Sequence, residues 1–216
     1  MTSDCCTPNG YRWIFSERSA RAEAKRYRRK GLDATSRRIV DFVKQQGVEG
    51  RTVLEVGGGI GAIEIELLEA GAARVTNIEL AATYEDTARA LLAERGLSER
   101  ADRRVGDFVA EADAIEPHDV VVMHRVVCCY PDVDALVGTA ADRARRRMVL
   151  TYPQERPAVR AAFWAGNALM RLRGSTFRAF VHPVRRIETA AEAHGLMPET
   201  RVRHGFLWES AAFSRR

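Results

Sequence analysis

At 216 residues and 46% apolar content, the chain is long enough to bury one well-packed core. Its 34 Lys plus Arg against 29 Asp plus Glu give a net charge of +5, with arginine supplying nearly all the cations, a balance that suits anionic ligands in general. No run approaches the roughly 18 apolar residues of a membrane span, and the first residues lack the apolar stretch of a signal peptide, so the expectation is a soluble, cytoplasmic protein with no membrane partner.

In chain order, Glu17 to Gln46 reads helical with a break near Gly31, and its basic cluster Arg21 to Lys30 reads as a solvated helix face. That cluster lacks the aromatic-studded groove of a nucleic-acid module, so a nucleic-acid partner is not expected. A short apolar strand, Thr52 to Val56, runs into "GGGIG", and "AIEIELLEAGA" continues as a helix ended by Gly71. The alternation repeats with strand Arg74 to Leu80, helix "ATYEDTARALLAERG", a short strand near "RRVGDF", strand "HDVVVMHRV", helix Val133 to Arg143 and strand "RRMVLTYP". After Pro157 come a long helix, an arginine-rich connector "STFRAFVHP", the helix "VRRIETAAEAHG" and two strands around His204-Gly205 that pair as a hairpin.

Strands alternating with helices predict an α/β fold with a doubly wound, mostly parallel, seven-stranded sheet, a C-terminal antiparallel hairpin and an N-terminal helical cap. The whole chain, 1–216, reads as one domain: cap 1–48, cofactor-binding core 49–152, and substrate-side helices with the hairpin 153–216.

"LEVGGGIGA" carries the most information. A strand followed by four glycines in five positions and then a helix lets a ligand approach backbone amides at the helix start. Gly57, Gly59 and Ala62 satisfy G-x-G-x-x-A with Glu79 downstream, which fits a dinucleotide cofactor and an NAD-dependent oxidoreductase.

Glu55 before the glycines, Glu79 closing the second strand, "GDF" after the third and His124 ending the fourth together resemble the class I S-adenosylmethionine-dependent methyltransferases. The resemblance implies S-adenosyl-L-methionine as cofactor and an enzyme that transfers its methyl group to a small molecule. It implies that Glu55, Gly57, Gly58, Gly59 and Gly61 form the glycine loop, Glu79 and Leu80 the ribose side, Asp107 and Phe108 the adenine side, and that His124 flanks the cofactor. Carboxylates attract a cationic sulfonium and would repel a pyrophosphate. Within that superfamily "YRWIFSE", "YRRKG", "CCYPD", "LTYP" and "FRAFVH" resemble the magnesium-protoporphyrin O-methyltransferase group and its bacterial relatives, with Cys129 standing where that group has a histidine.

A carboxylate acceptor needs no strong base, whereas an alcohol or amine would recruit His124 or His182. Arg125 and Arg178 are candidates to clamp an anionic substrate, such as an anionic O-acceptor, and Cys128, Cys129 and Tyr130 fall on the acceptor side. The vicinal cysteines support three readings: buried pocket wall with no metal, a reactive thiol, or a metal- or metalloid-thiolate site built from Cys5, Cys6, Cys128 and Cys129. Adjacent cysteines bridge each other poorly, so a secreted disulfide framework is not expected.

Overall fold

The structure is a computed structural model that describes residues 14–216; Cys5 and Cys6 lie outside the described residues. Helix α1 spans Glu17–Lys30 and begins where the Ser16 hydroxyl accepts from the Ser19 amide. It ends at Gly31, whose φ of 66° suits glycine. Asp33 then caps α2, Ala34–Gln45, by accepting from the amides of Thr35 and Ser36. The α2 residues Ser36, Ile39, Val40 and Val43 are buried, the i, i+3, i+4, i+7 stripe of a helix that packs one face inward.

The alternating core follows: β1 (Thr52–Val56), α3 (Ala62–Glu69), β2 (Arg74–Glu79), α4 (Glu85–Glu94), β3 (Ala101–Val105), β4 (His118–Met123), α5 (Val133–Asp142) and β5 (Ala144–Pro153). Helices α6 (Pro157–Leu172) and α7 (Val184–Ala193) lead to β6 (Leu196–His204) and β7 (Trp208–Arg215). The seven strands lie in the order β3-β2-β1-β4-β5-β7-β6. The first five are parallel, and β7 returns antiparallel between β5 and the edge strand β6. The predicted fold class and hairpin match this architecture.

Two apolar layers sandwich the sheet. One face carries α1 to α4 over Val53, Val75 and Val122, and the other carries α5 and α7 over Leu54, Val121 and Met148, consistent with successive strand residues pointing to opposite faces. Among the described residues no helix is long and apolar enough to cross a membrane.

Candidate active site

Strand register decides where the site lies. Val56 pairs with Ile78 and with Met123, and Glu79 pairs with Val105, so β1 to β4 finish nearly level. The residues that follow, Gly57, Leu80, Gly106 and His124, therefore open along one edge. The ladder extends slightly past the strands, Gly57 donating its amide to the Ile78 carbonyl at 2.8 Å and Gly106 to that of Glu79 at 3.0 Å. Above this edge sits a cavity of about 400 Å³, roofed by the α1–α2 cap through Glu23, Tyr27 and Ser36. Carboxyl ends of parallel strands are where ligands bind in doubly wound sheets.

The first two positions of the glycine loop have no room for side chains. A Cβ on Gly57 would lie 2.4 Å from a Val126 methyl, and one on Gly58 would lie 2.0 Å from Asn77 Nδ2 and 2.7 Å from the Glu55 carboxyl. Gly59, with φ of 56°, is held at both ends of its residue: its amide donates to Glu79 Oε2 at 2.8 Å, and its carbonyl accepts from Arg103 Nη2 at 2.9 Å. Glu79 also accepts from the Ala81 amide at 2.8 Å, which fixes the carboxylate where β2 meets the cavity.

Beneath the loop lies a buried polar row. Glu55, Asn77 and Arg103 pair in sequence across β1, β2 and β3, so their side chains share one face of the sheet. Asn77 donates to Glu55 at 3.0 Å, while Arg103 donates to Glu64 of α3 at 2.5 Å and to Glu85 of α4 at 3.0 Å. Arg103 and Glu64 are within 1% of complete burial at their side chains, and a buried ion pair of this kind is retained only with such extensive hydrogen bonding. Burial, with the neighbouring Glu64 charge, pushes the Glu55 carboxyl up to about 8. Burial likewise raises Glu64 to about 7, against the pull of Arg103. Glu55 therefore holds its proton more tightly than an ordinary carboxyl, beneath the loop rather than in open solvent.

His124 is fixed from both sides. Its Nε2 lies 3.0 Å from the Ser36 hydroxyl and its Nδ1 3.0 Å from the Thr151 hydroxyl. Burial and the adjacent Arg125 cation hold the ring down to about 3, so it is neutral at physiological pH. The next residue, Arg125, takes a left-handed backbone with φ of 60°, its amide donating to Thr151 Oγ1 at 2.7 Å. Its guanidinium donates to both Asp33 oxygens at 3.0 and 3.2 Å and lies 5.3 Å from the Trp208 ring centroid. The same carboxylate caps α2, so the cap helix and the end of β4 are tied at one side chain.

No protein-family model matches the sequence, and no curated protein matches it. Solved structures do. The magnesium protoporphyrin IX methyltransferase of Synechocystis PCC 6803, determined with bound SAH, aligns at a TM-score of 0.66 over 84% of this chain and 82% of that one, with 19% identity. A putative sarcosine dimethylglycine methyltransferase from Galdieria sulphuraria aligns at 0.68 over 84% and 85%, with 12% identity. The geranyl diphosphate C-methyltransferase of Streptomyces coelicolor A3(2) aligns at 0.65 over 82% and 76%, with 15% identity. The fold is that of the class I methyltransferases. The antiparallel β7 between β5 and β6 separates this methyltransferase fold from the six-stranded 3-2-1-4-5-6 order typical of dinucleotide domains.

On the methyltransferase fold, the cavity brings together most of the expected residues: Glu55, Gly57, Gly58, Gly59, Glu79, Leu80, Asp107, Phe108, His124, Arg125, Cys129 and Tyr130. Asp107 accepts from the Val109 amide at 3.0 Å, ordering the loop after β3. Four expected residues are placed elsewhere. Gly61 is the left-handed start of α3, facing Glu64 and Arg103 rather than the cavity. Cys128 is buried behind Cys129, with its sulfur against the Arg125 carbonyl. Arg178 donates to the carbonyls of Ser175 and Phe177, bracing its own connector. His182 is buried, stacks on Phe180 and bonds through Nε2 to the Tyr130 carbonyl at 2.9 Å, so its geometry is that of a connector pin and not of a base at the cavity.

Sequence reasoning missed Arg103, Ser36, Asp33, Thr151 and Tyr84. Tyr84 lines the cavity and donates to Glu23 of α1 at 2.9 Å. Asp33 combines two roles, N-cap of α2 and partner of Arg125.

Proposed function

We propose that this chain is an S-adenosyl-L-methionine-dependent methyltransferase acting on a small molecule. The observation that carries this reading is the level ending of four parallel strands around one cavity, with the glycine loop, Glu79, Asp107 and His124 each at the end of a different strand. The cavity fits the cofactor by its donor set: a loop on which side chains would collide, a carboxylate fixed at the end of β2, and a second acidic residue after β3. When bound, the cofactor supplies an electrophilic methyl group on a sulfonium.

The residues supply position and charge. Gly57 to Gly59 permit close approach of the backbone, Glu79 offers acceptors for hydroxyls, and Asp107 with the buried Phe108 walls the far end. Cys129, Tyr130 and Arg125, from the segment after β4, also line the cavity, and an acceptor would sit against them. His124, held neutral between two hydroxyls, orients the wall and takes up no proton near pH 7. An acceptor already ionised at neutral pH needs no such proton transfer, which supports an anionic O-acceptor such as a carboxylate. Arg26 lines the cavity and Arg125 contributes the second cation there.

Calorimetric titration with S-adenosylmethionine, S-adenosylhomocysteine and NAD tests the reading. Saturable binding of the first two is expected; binding of NAD alone would overturn it.

A further inference from the structure

Cys128 and Cys129 lie in the single 3₁₀ turn Val127–Cys129 that follows β4. Successive side chains in such a turn point about 120° apart. Here the two sulfurs converge instead, 3.6 Å from each other and 3.5 and 3.7 Å from the same Arg125 carbonyl oxygen. Adjacent alpha carbons stand about 3.8 Å apart, shorter than the spacing a disulfide spans, so the pair resists closing on itself. The result is a dithiol, with Cys129 on the cavity wall and Cys128 buried directly behind it.

Two converging thiols suit a soft centre that requires only two protein ligands. A structural zinc takes four ligands, whereas a trivalent arsenical carrying one organic group needs two. We propose that Cys128 and Cys129 form a binding site for a trivalent arsenical, entered from the cavity through Cys129. In the binding step the two S–H bonds and the As=O bond of an arsenoso compound are replaced by two As–S bonds. The oxygen leaves as water with both thiol protons, and arsenic stays trivalent, so neither oxidant nor reductant is consumed.

The probe is phenylarsine oxide, added in equimolar amount to the full chain carrying Cys5→Ser and Cys6→Ser, and followed by intact-mass spectrometry. One adduct per chain, formed with loss of one water and reversed by a dithiol but not by a monothiol, is expected. Adding Cys129→Ser or Cys128→Ser abolishes it while circular dichroism reports retained structure for at least the Cys129 variant. Should the starting variant not fold, Cys129→Ser in the otherwise unchanged chain is expected to lower the stoichiometry by one. No adduct on the folded Cys5→Ser/Cys6→Ser chain, or an undiminished adduct without Cys129, would overturn the proposal. The mass readout does not depend on methyl transfer, and S-adenosylhomocysteine titration of the same samples reports the cofactor reading separately.

Discussion

Arg103 on β3 reaches across the sheet to donate to the carbonyl of Gly59, 44 residues earlier in the chain, at 2.9 Å. The guanidinium is spread over three elements, α3 through Glu64, α4 through Glu85 and the loop through Gly59, so the loop conformation is fixed by a side chain that never enters the cavity. Glu79 holds the amide of the same glycine. A loop gripped at both ends of one residue is pre-organised, which saves the ordering cost on binding.

Replacing Arg103 by Met should lower stability by about 3–5 kcal/mol, because Glu64 is left buried without its partner. The double change Arg103→Met with Glu64→Gln removes the stranded charge and should recover most of that loss. It should not recover affinity for S-adenosylhomocysteine, since the Gly59 carbonyl still lacks its donor. Chemical denaturation and calorimetry on the three proteins check this; full recovery of affinity in the double variant would mean that Arg103 serves the core alone.

Glu79→Gln keeps the size of the side chain but removes the charge and leaves one of its two backbone-bound oxygens as an amide that cannot accept from Gly59 or Ala81. Loss of a charged hydrogen-bonding group corresponds to roughly 1.5–3 kcal/mol, or about ten- to a hundredfold in the dissociation constant for the cofactor. An unchanged dissociation constant by calorimetry would remove Glu79 from the cofactor side of the cavity.

Much of this arrangement was legible in the sequence and some of it was not, for identifiable reasons. The strand-helix alternation and the glycine loop announce themselves because apolar runs and consecutive glycines are local signals. Arg103 could not be singled out within "DRRV", where Arg104 stands next to it; only the pairing of Arg103 with Asn77 decides which arginine faces α3. Register is a long-range property and a one-residue slip exchanges the faces. The same limit hid the Ser36 and Thr151 partners of His124, 88 and 27 residues away. His182 and Arg178 looked functional because they are polar residues in a connector, yet their partners are carbonyls of nearby backbone segments, which no side-chain pattern encodes.

His124 gives a prediction about pH. Its folded-state value lies below the ordinary 6.5, so its contribution to stability is present above that value and is lost as pH falls below it toward about 3. Between pH 7 and 9 the ring does not titrate. Under the proposed function, the rate profile in that range should therefore be the same in His124→Asn as in the parent, even if the absolute rate falls. A rate that rises with pH across this range in the parent and loses that rise on the substitution would make His124 a proton acceptor.

Glu55 acts in the opposite sense. Its carboxyl is raised from 4.5 to about 8 in the folded chain, so the folded state holds a proton that the unfolded state has released over that interval. The stabilisation is fully present below about 4.5 and is lost as pH rises through 8, with Glu64 adding a parallel slope up to about 7. Glu55→Gln preserves a neutral group of the same shape beside Asn77, so it removes the Glu55 part of that slope. The variant is expected to match the parent near pH 5 and to exceed it by about 4 kcal/mol at pH 9. Denaturant midpoints measured every half unit across that range decide the matter: parallel curves for the two proteins would place the Glu55 proton on neither side of the folding equilibrium, and a variant less stable at pH 9 would mean that the ionised carboxylate is what the row beneath the glycine loop requires.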